Sequence, residues 1–331
     1  MNRVATCAAA VLVFAAVAMP CNGQTQTAPA ADRPAVAYST AGVLYLATES
    51  GRVVRKIEPE LPIGDFAISP DLRTVVFTVP HPGESGGLFV ILDVASGAME
   101  PMKPDPYFND DSVADLAQFY SDPEFSPDGK RVVFATHAYG EGNELQLSGP
   151  LAFLNVETRE VSILGSTVAS DGLPFGYMRD PHWSPDGKQI LGTMEGHSFV
   201  TDAGGEKLTE VMIPDSELIQ SADSYGMYAI GWLGAGCVLY QAGEQPELDP
   251  ARIFRLSTQE ASSAAAMLRL PEASLRGLRG LSGRLRVRSD PAGYRVEGPG
   301  INWLTGGDRE ITFAHLLPQR DAGAAVPADC R

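Results

Sequence analysis

Three near copies of one hairpin lie 57 and 58 residues apart, and 34 Gly and 25 Pro are dispersed along the 331 residues. Recurrence at this period, with turn residues at fixed places, predicts an all-β chain built from repeated sheets. The copies are Ile68-Ser-Pro-Asp-Leu-Arg-Thr-Val-Val-Phe-Thr78, Phe125-Ser-Pro-Asp-Gly-Lys-Arg-Val-Val-Phe-Ala135 and Trp183-Ser-Pro-Asp-Gly-Lys-Gln-Ile-Leu-Gly-Thr193. Four strands per repeat is the construction of a propeller blade. The expected fold is therefore a six-bladed β-propeller of four-stranded antiparallel blades, closed by N- and C-terminal strands.

Each copy reads as strand, tight turn, strand. Pro presets the turn's backbone angle, Asp bonds main-chain amides ahead of it, and Gly takes the left-handed position. The β-branched apolar run that follows suits a buried strand. A second hairpin comes after each, as at Gly87–Gly97 and Leu151–Arg159, and weaker echoes of the first stand at Trp232–Tyr240 and Trp303–Phe313. Blades are expected at about 64–104, 118–164, 178–213 and 226–270. Eight strands remain for two more: Leu275–Leu281, Arg284–Asp290, Tyr294–Gly298, Ile301–Thr305, Glu310–Leu316, Ala35–Thr40, Val43–Thr48 and Val53–Ile57. Pairing of N-terminal with C-terminal strands removes the exposed edges of such a ring.

The aromatic residue followed by Ser-Pro-Asp-Gly-Lys and an apolar strand resembles the TolB-like propeller repeats, over nearly all of residues 36–317. The resemblance implies a periplasmic or secreted β-propeller. It implies less about function, because relatives include binding scaffolds, gating domains of serine peptidases and some lyases. Only about a dozen leader residues precede the first strand and 14 follow Leu317, so the expectation is a propeller without TolB's N-terminal domain or a peptidase domain.

At the N-terminus, Arg3, the apolar run Cys7–Ala18 and Met19-Pro20-Cys21-Asn22-Gly23 follow the order of a secretory signal, with cleavage after Ala18 or Gly23. The domain expectation is a signal peptide at 1–23, a flexible leader at 24–34, the propeller at 35–317 and a C-terminal tail at 318–331. The apolar run is too short to span a membrane, and no transmembrane segment is expected. Export permits disulfides, and two readings of Cys237 and Cys330 stay open: a bridge, or a small core residue and a free tail thiol. The formal net charge of −16 argues against a nucleic-acid partner.

Motifs for chemistry are sparse. Gly83-Glu-Ser-Gly-Gly87 matches Gly-x-Ser-x-Gly, but it joins two strands instead of opening a helix. His81, His137, His182, His197 and His315 show no zinc-ligand spacing, and no cofactor is expected. Propeller sites can draw on several blades, so carboxylates with His137, His182 or His197 at the central channel form the alternative of a metal-dependent lactonase- or lyase-like enzyme. A regulatory subunit of an exported peptidase is a third reading.

The sharper signal is a charge asymmetry. In an antiparallel blade, inter-blade loops and second-to-third-strand loops share one face, and the Ser-Pro-Asp turns occupy the other. The loop face, residues 58–65, 80–87, 101–120, 137–149, 165–181, 195–198, 214–227 and 242–250, carries 19 acidic residues against Lys103 and Arg179. The turn face, counted in the same way, carries 12 acidic and 9 basic. Aromatic residues mixed with carboxylates suit recognition of a cationic or polar partner. The expected binding residues are Asp105, Tyr107, Phe108, Asp110, Asp111, Tyr139, Glu141, Glu144, Tyr177, Asp180 and Tyr225. The functional expectation is an exported, non-catalytic binding or scaffold propeller that recognises a protein or polar ligand in the cell envelope.

Overall fold

A computed structural model describes residues 34–79, 89–102, 117–139, 145–164, 179–194, 197–204, 208–210, 227–242, 251–263, 286–298, 301–306, 310–317 and 330. All 23 regular elements of the described residues are β-strands. They run in sequence order as β1 (Val36–Thr40), β2 (Val43–Ala47), β3 (Val53–Ile57), β4 (Phe66–Ile68), β5 (Thr74–Thr78), β6 (Phe89–Asp93) and β7 (Met99–Pro101). Next come β8 (Ala117–Phe125), β9 (Arg131–Tyr139), β10 (Leu145–Asn155), β11 (Val161–Ile163), β12 (Arg179–Trp183), β13 (Gln189–Met194), β14 (His197–Asp202) and β15 (Leu208–Glu210). The last are β16 (Met227–Trp232), β17 (Cys237–Ala242), β18 (Ala251–Arg255), β19 (Glu260–Ser263), β20 (Arg286–Asp290), β21 (Gly293–Gly298), β22 (Ile301–Gly306) and β23 (Ile311–Leu316).

Four sheets are consecutive antiparallel meanders, β4 to β7, β8 to β11, β12 to β15 and β16 to β19. A three-stranded sheet holds β20 to β22, and the expected strand Leu275–Leu281 beside it lies outside the described residues. In the sixth sheet the order is β23-β1-β2-β3, so C-terminal and N-terminal strands pair, with Val36 opposite Leu316.

The turns follow the chemistry read from the sequence. Ser69, Ser126 and Ser184 donate Oγ–H to Oδ1 of Asp71, Asp128 and Asp186 at 2.6, 2.6 and 2.7 Å. The same carboxylates accept from the backbone of Arg73, Lys130 and Lys188. Gly129 and Gly187 sit at φ 72° and 70°, and Leu72 takes the equivalent place at φ 62°. Leu72 packs against the core beside it, which offsets the backbone cost of a left-handed leucine.

Strands such as β5 (TVVFT) are buried on both faces because sheets pack on each side of them. Hydrophobic clusters join the sheets one to the next. Leu44 and Leu46 meet Phe66, Val75 and Leu92; Val76 and Phe89 meet Tyr120, Phe134 and Leu154. Val133 and Leu151 meet Trp183 and Ile190; Leu191 and Val200 meet Trp232, Val238 and Phe254. Val296 and Trp303 meet Val36, Tyr38 and Ile311. At that last contact Gly51, φ 82°, is pressed against the Trp303 indole, and a Cβ on it would stand 2.7 Å from Cδ2.

Cys237 and Cys330 are joined in a disulfide across a sequence separation of 93, which decides between the two readings of these residues.

Candidate functional site

The sheets meet along their first strands: β4 adjoins β8, β8 adjoins β12, and β12 adjoins β16. Apolar residues fill most of this boundary, and a belt of polar groups sits among them. Asp65, Asp122 and Asp180 each stand four residues before the turn serine of their own repeat, at Ser69, Ser126 and Ser184. In β8 and β12 a bulge falls at that aspartate, which takes a positive φ of 55° at Asp122 and 46° at Asp180, and a proline follows each. A bulge re-aims a side chain out of the regular alternation of a strand. Asp and Asn tolerate this left-handed region better than other side chains, and at Asp122 the hydroxyl of Ser121 donates to Oδ2 at 2.9 Å.

Bonds between sheets follow the repeat period. Asp65 Oδ2 accepts from the backbone N–H of Asp122, 57 residues away, at 2.9 Å, while its Oδ1 accepts from Phe66 N–H at 2.9 Å. Thr78 Oγ1 accepts from Asp65 N–H at 2.9 Å, and His315 Nε2 lies 4.0 Å from Asp65 Oδ1. One repeat further on, Glu124 Oε2 lies 2.7 Å from His182 Nδ1, and Oε1 accepts from Trp183 N–H at 2.9 Å. The indole N–H of Trp183 donates to the Glu124 carbonyl at 3.2 Å, and that of Trp232 donates to the His182 carbonyl at 2.8 Å. The aromatic residue ahead of the turn thus fills core space and also ties its sheet to the one before. Arg131 adds a cation–π contact, with Cζ 5.0 Å from the Phe153 ring centroid and 4.8 Å from that of Trp183.

Both oxygens of Glu124 and both oxygens of Asp65 are occupied by neighbours in the fold, and His182 is only 6% exposed. Among the described residues, no group of three or more His, Cys, Asp or Glu could hold a metal ion. His182 lies within first strand β12, His137 within β9, and His197 opens β14.

On the turn face the hydroxyl of Ser69 is the main cause that holds the Asp71 carboxyl below its ordinary value, and Ser126 does the same for Asp128. At Asp186 burial pushes upward, but bonds from Ser184 and Lys188 outweigh it and the carboxyl is again lowered.

Of the expected loop-face residues, Asp105, Tyr107, Phe108, Asp110, Asp111, Glu141, Glu144, Tyr177 and Tyr225 lie outside the described residues. Asp180 is half-buried at the β12 bulge, and Tyr139 ends β9, paired through its backbone with Ala117 and Leu145. That pairing brings the ends of three strands together at one end of the sheet. Strands β8, β9 and β10 have 9, 9 and 11 residues, against 3, 5 and 5 for β4, β5 and β6. The excess of four residues in β9 over β5 lengthens that hairpin by about 13 Å.

Sequential four-stranded meanders stacked edge-in define the architecture. The fold is a β-propeller, similar to that of TolB. No family model matches the chain, and neither does any curated protein. Among solved structures, TolB from Acinetobacter baumannii aligns at 14% identity and TM-score 0.49, over 88% of this chain and 65% of that one. A TolB candidate from Agrobacterium tumefaciens aligns at 13% identity and TM-score 0.47, over 70% of this chain and 76% of that one. The β-propeller domain of the Trilobed protease from Pyrococcus furiosus aligns at 9% identity and TM-score 0.41, over 81% and 73%. No helix among the described residues is long and apolar enough to cross a membrane.

Proposed function

We propose that this chain is an exported, non-catalytic binding propeller whose acidic, aromatic loop face captures a cationic or polar partner in the cell envelope. The observation that carries the reading is the charge asymmetry: 19 acidic residues and two basic ones on the loop face, against 12 and 9 on the turn face. A field of one sign on one face steers an oppositely charged partner and fixes its orientation. The lengthened β8–β10 strands support the reading, since they carry the segments of Asp105 to Asp111 and Glu141 to Glu144. The Cys237–Cys330 disulfide accords with an oxidising compartment.

Salt tests the electrostatic part. Immobilised mature protein incubated with envelope proteins should retain its partner at about 50 mM salt and release it by about 300 mM, where the screening length has fallen to about two-fifths. Retention that ignores salt contradicts the reading. Treatment with EDTA should leave both capture and the melting curve unchanged; loss of a stoichiometric divalent metal together with a lower melt would favour the lactonase- or lyase-like alternative instead.

A further inference from the structure

The bonds that tie one sheet to the next in the inner belt are of two kinds. Backbone and indole N–H groups donate most of them: Asp122 N–H to Asp65, Trp183 N–H and its indole to Glu124, and the Trp232 indole to His182. None of these donors titrates near neutral pH. The contact of Glu124 Oε2 with His182 Nδ1, at 2.7 Å, is of the other kind, because imidazole gains or loses its charge in that range. A second histidine, His315, lies 4.0 Å from Asp65, beyond hydrogen-bond length.

The surroundings decide which charge state the contact favours. Among the described residues the Glu124 carboxylate meets the uncharged Trp183 N–H and the His182 ring, so the ring is the cation within its reach. An ionised carboxylate only accepts, so Nδ1 carries a proton even in the neutral ring, and the proton gained on charging goes to Nε2. A separation of 2.7 Å is that of a charge-assisted bond. Burial works against the charge, since His182 is 6% exposed. The Glu124 side chain is 28% exposed, however, so only one of the two charges is deeply buried, and attraction at hydrogen-bond distance outweighs its desolvation.

Strand β12 packs on β8, β9, β13 and β16. Besides Glu124, β8 carries Tyr120 and Asp122, β9 carries Arg131, His137 and Tyr139, β16 carries Tyr228, and β12 itself carries Arg179 and Asp180; β13 has no ionisable residue. The belt carboxylates of Asp122 and Asp180 add to the pull of Glu124, while Arg131 opposes it from over the Phe153 and Trp183 rings.

We propose that Glu124 and His182 form a proton-operated clasp between the sheet of β8–β11 and that of β12–β15, tight when the imidazole is charged and looser when it is neutral. Trp183 N–H bonds to the same carboxylate and the Trp232 indole to the His182 carbonyl, so the change is felt on both sides of β12. Pairing strengthens proton binding to His182 in the folded chain. Its stabilisation is therefore fully present below the unfolded value of about 6.5 and is lost as pH rises through the folded value. Neither residue belongs to the proposed loop face, so the clasp stands apart from partner capture.

Urea unfolding of the wild type and of His182→Gln, at about pH 5.5 and about pH 8, tests the clasp, because glutamine keeps an N–H donor for Glu124 but cannot take a charge. The ratio of the variant's unfolding constant to that of the wild type should be about ten-fold larger at the lower pH, and a Glu124→Gln background should abolish that difference. An equal ratio at both pH values, a ratio that grows towards pH 8, or a difference that survives in the Glu124→Gln background overturns the proposal. Titration of the wild-type chain by NMR needs no variant. The His182 ring, identified by its nuclear Overhauser contacts to Trp183, should show a midpoint above about 6.5 with Nδ1 protonated throughout. A midpoint at or below that value also overturns it.

Discussion

Glu124 joins two sheets through one carboxylate, so replacing it by alanine measures what the inner belt contributes. Glu124→Ala removes the acceptor of the Trp183 backbone N–H, in a residue that is 5% exposed, and the partner of the His182 ring at 2.7 Å. A buried donor left without a partner costs about 1–3 kcal/mol. Two such groups give about 2–6 kcal/mol. The Glu124 side chain is 28% exposed, so water reaches part of the site and the expected loss is about 3 kcal/mol. At about 2–4 °C per kcal/mol for a chain of this class, Tm falls by roughly 6–12 °C. Urea titration read by tryptophan fluorescence should show a midpoint lower by about 1 M for a slope near 3 kcal/mol/M. Glu124→Gln keeps an oxygen for Trp183 N–H, and the histidine can answer the new amide by changing tautomer, so it should lose less than half as much. A Glu124→Ala midpoint within about 0.2 M of wild type would refute the assignment of the belt as an inter-sheet clamp.

Other perturbations have equally direct readouts. Gly51→Ala places a Cβ against Trp303 at a backbone angle that alanine disfavours, and should lower stability by about 2–4 kcal/mol, visible as an earlier thermal transition. The carboxyls of Asp71, Asp128 and Asp186 are lowered in the folded chain. Their contribution is therefore complete above an unfolded value of about 4 and is lost as pH falls through the depressed folded values. Replacing Ser69 and Ser126 by alanine removes the main cause at Asp71 and Asp128, and should flatten the acid limb of a stability-versus-pH curve while leaving its neutral end less affected. An unchanged acid limb would mean that these hydroxyls do not set the titration.

The repeat was legible because turn chemistry is local: Ser-Pro-Asp-Gly-Lys specifies its own hydrogen bonds, and the structure shows the same set three times. The strand Thr74–Thr78 was legible for the same reason, since an unbroken apolar run suits a strand buried on both faces. The strands at 286–290 and 293–298 match those expected at Arg284–Asp290 and Tyr294–Gly298 to within a residue or two. The inner belt was harder to see. Glu124 and His182 stand 58 residues apart and make no motif by spacing along the chain. Yet that separation is the repeat period, and in stacked repeats equivalent positions become neighbours. Aspartate four residues before each turn serine was the available signal. The disulfide stayed open because a cysteine in a tail can reach many places, and only the folded chain, where the Cys330 carbonyl accepts from Gly236 N–H beside Cys237, selects one. The loop face remains an expectation from charge, since its residues have no local turn code and nearly all lie outside the described residues.

The central claim is that the acidic loop face captures a partner, and charge reversal there is its most direct test. The double variant Asp110→Lys, Asp111→Lys and the wild type should be immobilised at equal density, their melting curves compared, and partner capture measured at low salt. The account predicts capture weakened by about ten-fold or more with Tm within about 2 °C of wild type, because these aspartates serve binding and not the core. Capture at wild-type strength by the reversed chain would contradict it.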